Sequence, residues 1–169
     1  KQVLTIILDE DEVIEDIRSK YVPDHDKYKP HITLVYPFEV EDQHRLEHHI
    51  QNALEGVSPF VITLKGVQKS SKGLSLYLVV DEGKEKVTEL YESLNSGILD
   101  GFRNGDLPKY IPHLTIGVFD SERERERALE EVEKKNLFFK TSIEVWCFTI
   151  AQFRDRRQVS CVTASRLII

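Results

Sequence analysis

The chain has 169 residues, of which 40% are hydrophobic, 9% aromatic and 31% charged; that length and make-up suit one ordinary globular unit whose core needs neither disulfides nor a structural metal. Lys and Arg number 23 against 29 Asp and Glu, a formal charge of −6, so the global positive field of a non-specific nucleic-acid binder is absent and a polyanionic ligand needs a local site. No apolar run approaches the roughly 20 residues of a membrane span, which excludes an ordinary transmembrane helix.

In chain order, Val3–Leu8 is β-branched and apolar and reads as a strand, too short and too acidic in its sequel for a signal peptide. Glu12–Tyr21 repeats Val13, Ile14, Ile17 and Tyr21 at helical spacing and stops before Pro23. A polar loop leads to a strand over Ile32–Phe38, and Glu41–Leu54 is helical through Leu46, Ile50, Ala53 and Leu54, ending at Gly56. Phe60–Leu64 and Leu74–Val80 flank the polar Ser70–Gly73 and read as a hairpin. A helix is expected over Lys84–Leu99, a loop over Gly101–Lys109 and a strand over Ile111–Phe119. Ser121-Glu122-Arg123-Glu124 fits a capping box opening a helix over Glu122–Asn136. Phe138–Ile169 is expected as two strands around Arg154-Asp155-Arg156-Arg157, with Ile143, Val145, Cys147 and Thr149 on one face. Strands and helices thus intermingle as α+β, and no Gly/Ser- or Pro-rich linker divides residues 1–169, which implies one domain. Cys147 and Cys161 lack CxxC or zinc-finger spacing and read as reduced thiols of a cytoplasmic protein.

One internal repeat carries chemistry. Tyr28-Lys29-Pro30-His31-Ile32-Thr33-Leu34 matches Tyr110-Ile111-Pro112-His113-Leu114-Thr115-Ile116, a pattern Y-x-P-H-[IL]-T-[IL] repeated half a chain apart, as in a pseudo-symmetric protein whose halves each contribute an equivalent strand. Proline is tolerated at a strand's start, and the period of two puts His31 with Thr33 and His113 with Thr115 on one face, with Ile32, Leu34, Leu114 and Ile116 on the other. A lone H-x-T reads as an ordinary strand histidine bonded to backbone. Two copies make sense if the His/Thr faces line a shared polar cleft, because buried imidazoles and hydroxyls need partners. Two facing imidazoles can divide proton transfer between a general base and a general acid, and the hydroxyls can flank an anion. With no nucleophilic Cys or acidic triad member in either motif, the chemistry that suits this set is phosphodiester cleavage without a metal or cofactor.

The two Pro-His-[Ile/Leu]-Thr motifs resemble those of the two-histidine phosphoesterase superfamily, the group that includes 2′-5′ RNA ligases and cyclic phosphodiesterases, and the resemblance extends over nearly the whole chain. It implies a bilobal, pseudo-symmetric α+β fold with an antiparallel sheet in each lobe, helices outside and a central cleft. It further implies His31 and His113 as the catalytic pair, Thr33 and Thr115 as phosphate contacts, and metal-independent hydrolysis of 2′,3′-cyclic nucleotide or RNA-terminal phosphodiesters. Two alternatives stand beside this: 2′-5′ joining of RNA ends at the same site, and a catalytically idle module that binds a nucleotide or RNA end. The expected partner is a nucleotide or RNA terminus, with no membrane, no stable protein partner and a monomeric state.

Tyr36 is the aromatic best placed to stack a base where the first motif strand emerges, with core packing as its other reading. His44-Arg45-Leu46-Glu47-His48 matches the H-x-x-E-H zinc pattern, but the stripe Leu46, Ile50 and Ala53 already accounts for an amphipathic surface helix, so no metal site is assigned. Lys69–Gly73 fails the phosphate-loop spacing, and Arg154, Arg156 and Arg157 read as a solvated turn.

Overall fold

A computed structural model describes residues 1–103, 109–143, 148–154 and 157–163, the last two segments as backbone. The first helix, α1 (Glu12–Tyr21), opens on Asp11, whose carboxylate accepts from the amides of Val13 and Ile14 at 3.0 Å each, with Glu12 and Glu15 in its first turn; both features favour a helix N-terminus. Asp42 caps α2 (Gln43–Leu54) in the same way through the amide of Arg45. Ser121 caps α4 (Glu122–Glu133) by accepting from the amide of Glu124, and its hydroxyl donates to the Glu124 carboxylate, so the expected cap forms while the reciprocal bond comes from the hydroxyl and not from the backbone N–H of a full capping box. In α3 (Lys84–Leu94) the N-cap is instead Gly83 at φ +76°.

The strands are β1 (Gln2–Ile7), β2 (His31–Phe38), β3 (Phe60–Lys69), β4 (Ser75–Val80), β5 (His113–Val118), β6 (Phe138–Ile143), β7 (Phe148–Arg154) and β8 (Arg157–Thr163). They run antiparallel in the order β6-β3-β4-β5-β2-β1-β7-β8. The fold is α+β, and its sheet divides into two four-stranded halves. The ladder between the halves is one residue pair long, Ile32 against Leu114. Helices cover the apolar face: α1 packs on β5 and α3 on β2. Each unit, β1–α1–β2 and β4–α3–β5, therefore lends its helix to the other's central strand. Leu4, Ile6, Ile32, Leu34, Leu78 and Leu94 are fully buried there. Among the described residues no helix is long and apolar enough to cross a membrane.

Three expectations are corrected. The C-terminal region forms three strands rather than two: β6 pairs with β3 at one edge of the sheet, while β7 pairs with β1 and β8 in the other half. Ile143 and Thr149 thus sit on different strands, and Val145 and Cys147 lie outside the described residues, as does Arg156. Alternation has the same period on both sides of such a break, so it does not reveal where a strand changes partners. The helix from Lys84 ends at Leu94, where Asn95 turns its amide to the carbonyl of Leu34, and a 3₁₀ segment over Gly97–Phe102 follows. The last helix ends at Glu133, short of Asn136. The β3–β4 hairpin forms as expected, closed by Ser70, whose hydroxyl bonds Gly73 O and Ser75 N.

Candidate active site

Both histidines enter their strands through matched backbone contacts. Pro30 O accepts from Leu8 N at 2.9 Å, and Pro112 O accepts from Val80 N at 3.0 Å. The proline amides have no proton to donate, so each strand joins its neighbour through a carbonyl. One residue later His31 Nδ1 lies 2.8 Å from Lys29 O, and His113 Nδ1 lies 2.6 Å from Ile111 O. A carbonyl only accepts, so each Nδ1 carries a proton, and the neutral ring presents a bare Nε2 away from the backbone. The repeat is therefore reproduced at the level of tautomer.

Alternation along the two strands matches the sequence reading. His31, Thr33, His113 and Thr115 are half-buried, while Ile32, Leu34, Leu114 and Ile116 are buried on the helix side. With Ile32 opposite Leu114, antiparallel geometry sets His31 toward Thr115 and Thr33 toward His113, around a local two-fold axis. The two histidines therefore lie on a diagonal across the junction rather than directly opposite each other.

Burial pushes the His31 imidazole below the usual histidine range, and the Arg18 guanidinium adds to this, against the pull of the Lys29 carbonyl. At His113 burial again lowers it first, the Ile111 carbonyl opposes, and a charge on His31 lowers it further. Both rings are thus shifted toward the neutral form, His113 partly by a charge on His31.

The halves differ in what backs each ring. Tyr77, on β4 opposite Thr115, lies tilted against His113 with centroids 4.3 Å apart and planes 33° apart; the corresponding position on β1, opposite Thr33, is Thr5. Arg18 sits 2% exposed behind the first motif, bonding Tyr28 O and Glu15. Sequence reasoning missed both. Their signals are an aromatic at cleft parity in Leu74–Val80 and a cation inside the apolar stripe of α1.

Strict alternation does not continue from His31 to Tyr36, which is half-buried and packs against the hydrophobic core. The register between β1 and β2 shifts after Thr5↔Thr33, so that Leu4 faces Val35 and Leu34 is the extra residue. Leu34 and Val35 both point into the core at 0% exposure. Val35 shares the core face with Leu4, and the register shifts again before Gln2↔Phe38, where Phe38 is buried at 1% exposure. Such a bulge re-aims the side chains beyond it. In β5 the extra residue is Ile116, the repeat equivalent of Leu34.

A separate open groove of about 660 Å³ lies beside the end of α1 and α4, lined by Lys20, Tyr21, Asp24, Arg127 and Glu131 among others. None of the motif residues lines it, and its charges are mixed. His48, from the zinc-like pattern, bonds Asn52 within its own helix.

A sequence model described as the 2′-5′ RNA ligase superfamily matches residues 8–156, and both histidine motifs fall inside that span. The chain belongs to the 2′-5′ RNA ligase superfamily. Among relatives, "Putative phosphoesterase BH1439" of Halalkalibacterium halodurans is 29% identical over 102 residues, which is 59% of this chain and 58% of that protein. "Putative phosphoesterase BCB4264_A1283" of Bacillus cereus is 25% identical over 147 residues, 83% of this chain and 84% of that protein. Solved structures share the superfamily fold: TT0787 of Thermus thermophilus superposes at TM-score 0.58 with 14% identity, covering 97% of this chain and 94% of its own. LigT of E. coli, complexed with 3′-AMP, superposes at 0.54 with 14% identity over 96% and 95%.

Proposed function

We propose that this protein is a two-histidine phosphodiesterase that opens 2′,3′-cyclic phosphates of nucleotides or RNA ends, with His31 and His113 as the acid/base pair. The observation that carries the reading is the matched pair of Nδ1–carbonyl contacts, which leaves two Nε2 atoms on one face, each histidine set toward the other motif's threonine. LigT, of the same fold, is recorded with 3′-AMP, and relatives bear phosphoesterase names; both support a nucleotide phosphoester as substrate.

The arrangement suggests the following step. Two neutral rings lack an acid, and the negative phosphate supplies the reason for one to take up a proton, because an adjacent opposite charge favours the charged form. The neutral ring's Nε2 removes a proton from water as the water oxygen bonds to phosphorus. The phosphorus bond to one ribose oxygen breaks, and the imidazolium delivers its Nε2 proton to that oxygen. Water is consumed, a phosphomonoester and a free hydroxyl form, and the proton has changed rings. Thr33 and Thr115 donate their hydroxyls to the non-bridging oxygens, where charge grows in the transition state. Tyr36, half-buried beyond Thr33, is the residue proposed as a platform for the base.

The test is incubation with a 2′,3′-cyclic nucleotide in excess chelator, resolving 2′- from 3′-phosphate. Turnover that falls on the order of 10²–10⁴ in both His31→Ala and His113→Ala is expected. Turnover that survives either substitution, or needs added metal, refutes the two-histidine reading.

A further inference from the structure

The ladder registers carry a straight row of side chains away from the second histidine. His113 on β5 pairs with Val79 on β4, Val79 with Lys65 on β3, and Lys65 with Phe138 on β6. Directly paired residues share a face of the sheet, so all four lie on the His113 face. One step along, Leu64, Val80 and Phe139 are buried on the opposite face, where α4 packs on β3, β4 and β5. The outer end of the row is open. Phe138 is 62% exposed, the most open large apolar side chain among the described residues, and Val61, on the same face of β3, is 38% exposed. Lys140 follows Phe138 on that face and is exposed, and Lys65 meets Asp81 at 2.6 Å with both side chains about half exposed.

We infer that the row from His113 to Phe138 is a binding track for single-stranded RNA, with the 3′-terminal cyclic phosphate at the histidines, Lys65 and Lys140 against upstream phosphates and Phe138 under an upstream base; this rests on the phosphodiesterase reading above and narrows its substrate to RNA ends. A chain of net charge −6 holds a polyanion only through a local site, and here two cations flank an open aromatic ring on the face that leads to a reacting histidine. Stacking on an aromatic ring accepts any base, and lysines follow the phosphates, so the track reads length and not sequence. Neighbouring strands lie about 4.8 Å apart, which puts Phe138 ~14 Å from His113 across three strand steps. That span is about four stacked nucleotides at ~3.4 Å each, out of reach of a mononucleotide held at the histidines. Lys140, in the middle of the outer strand, discourages a further strand from pairing at the β6 edge, which leaves the face as the surface on offer.

The test compares the wild type, Phe138→Ala and the double variant Lys65→Gln/Lys140→Gln on RNAs of increasing length that end in a 2′,3′-cyclic phosphate, from the mononucleotide upward. The three side chains are exposed and stand apart from the reacting groups, so mononucleotide turnover is expected to be unchanged in both variants. For the wild type, kcat/KM is expected to rise with length and level off near about five nucleotides, the span of the track. Binding of a 5′-labelled RNA of about eight nucleotides ending in a 2′-phosphate, read by fluorescence anisotropy, needs no turnover. Phe138→Ala is expected to weaken it about 5- to 100-fold, the worth of one stacked base. The double lysine variant is expected to lower the slope of log Kd against log salt by about 1.4, at about 0.7 for each phosphate contact. Length-independent turnover with RNA binding unchanged in Phe138→Ala overturns the track and leaves the phosphodiesterase reading standing. RNA binding that depends on Phe138 and the lysines, in a protein that turns over no cyclic phosphate, upholds the track and rejects that reading, together with the placing of the cyclic phosphate. A dimer in sedimentation that Phe138→Ala dissociates assigns the face to a second copy of the chain and overturns the inference.

Discussion

Ile32 and Leu114 are the one pair through which the two halves of the sheet meet, and they sit directly behind the histidines at 0% and 2% exposure. Ile32→Ala removes buried methyl and methylene groups from a site flanked by sheet and helix, where collapse is restricted; such changes cost about 2–5 kcal/mol. With a urea m-value of about 1–3 kcal/mol per molar, the midpoint is expected to fall by about 0.7–5 M. Leu114→Ala carries a similar cost. Facing residues share a cavity, so the double variant is expected to depart from the sum by about 0.5–3 kcal/mol. Activity per folded molecule has its own expectation. Displacing reacting groups by about 1 Å costs on the order of 10² in rate, so kcat in either variant, measured where the protein is fully folded, falls well beyond any loss of folded fraction. Urea unfolding followed by tryptophan fluorescence supplies the stabilities, and turnover of a 2′,3′-cyclic nucleotide supplies the rates. Strictly additive stabilities with unchanged kcat per folded molecule would refute the reasoning, because the pair would then be ordinary core and not the seat of the histidine spacing.

Both histidines titrate below their ordinary 6.5, so the singly protonated free enzyme is populated below that pH; kcat/KM is expected to be bell-shaped with its maximum on the acid side of 6.5, and the kcat profile to lie at higher pH because bound phosphate favours the imidazolium. The same depression bears on folding: below pH 6.5 the unfolded chain binds more protons than the folded one, so these two groups make stability fall as pH drops through the lowered values, which thermal melts of the wild type and a His31→Ala/His113→Ala double variant distinguish. Thr33→Val and Thr115→Val each remove one hydroxyl donor to a charged oxygen and are expected to lower kcat/KM by about 1.5–3 kcal/mol, on the order of 10- to 150-fold, with little change in melting temperature. Gly83→Ala is expected to destabilise by more than 1 kcal/mol in urea unfolding, since φ is +76° and an added Cβ would stand 2.5 Å from Val61 O.

The motif strands were legible because their signals are local. A proline at each entry, apolar residues at alternate positions and a full repeat of residue types are enough to predict two equivalent strands with His and Thr on one face. The capped helices follow for the same reason, as Asp11, Asp42 and Ser121 act within three or four residues of themselves. The placing of β6 against β3, and of β7 against β1, has no local signal, because one alternating pattern serves any partner strand. Nor does alternation foretell the extra residue at Leu34, beside which the carbonyls of Thr33 and Leu34 are met by Tyr110 and Asn95, 61 to 77 residues away in the chain. The asymmetry of the site has the same origin. Arg18 and Tyr77 are ordinary residues in their own segments, and only packing sets a guanidinium behind one histidine and a phenol against the other. Chemistry written into a seven-residue repeat could be read along the chain; the distances, tautomers and depressed pKa values that make it usable arise from burial and cross-sheet neighbours, which exist only once the chain is folded.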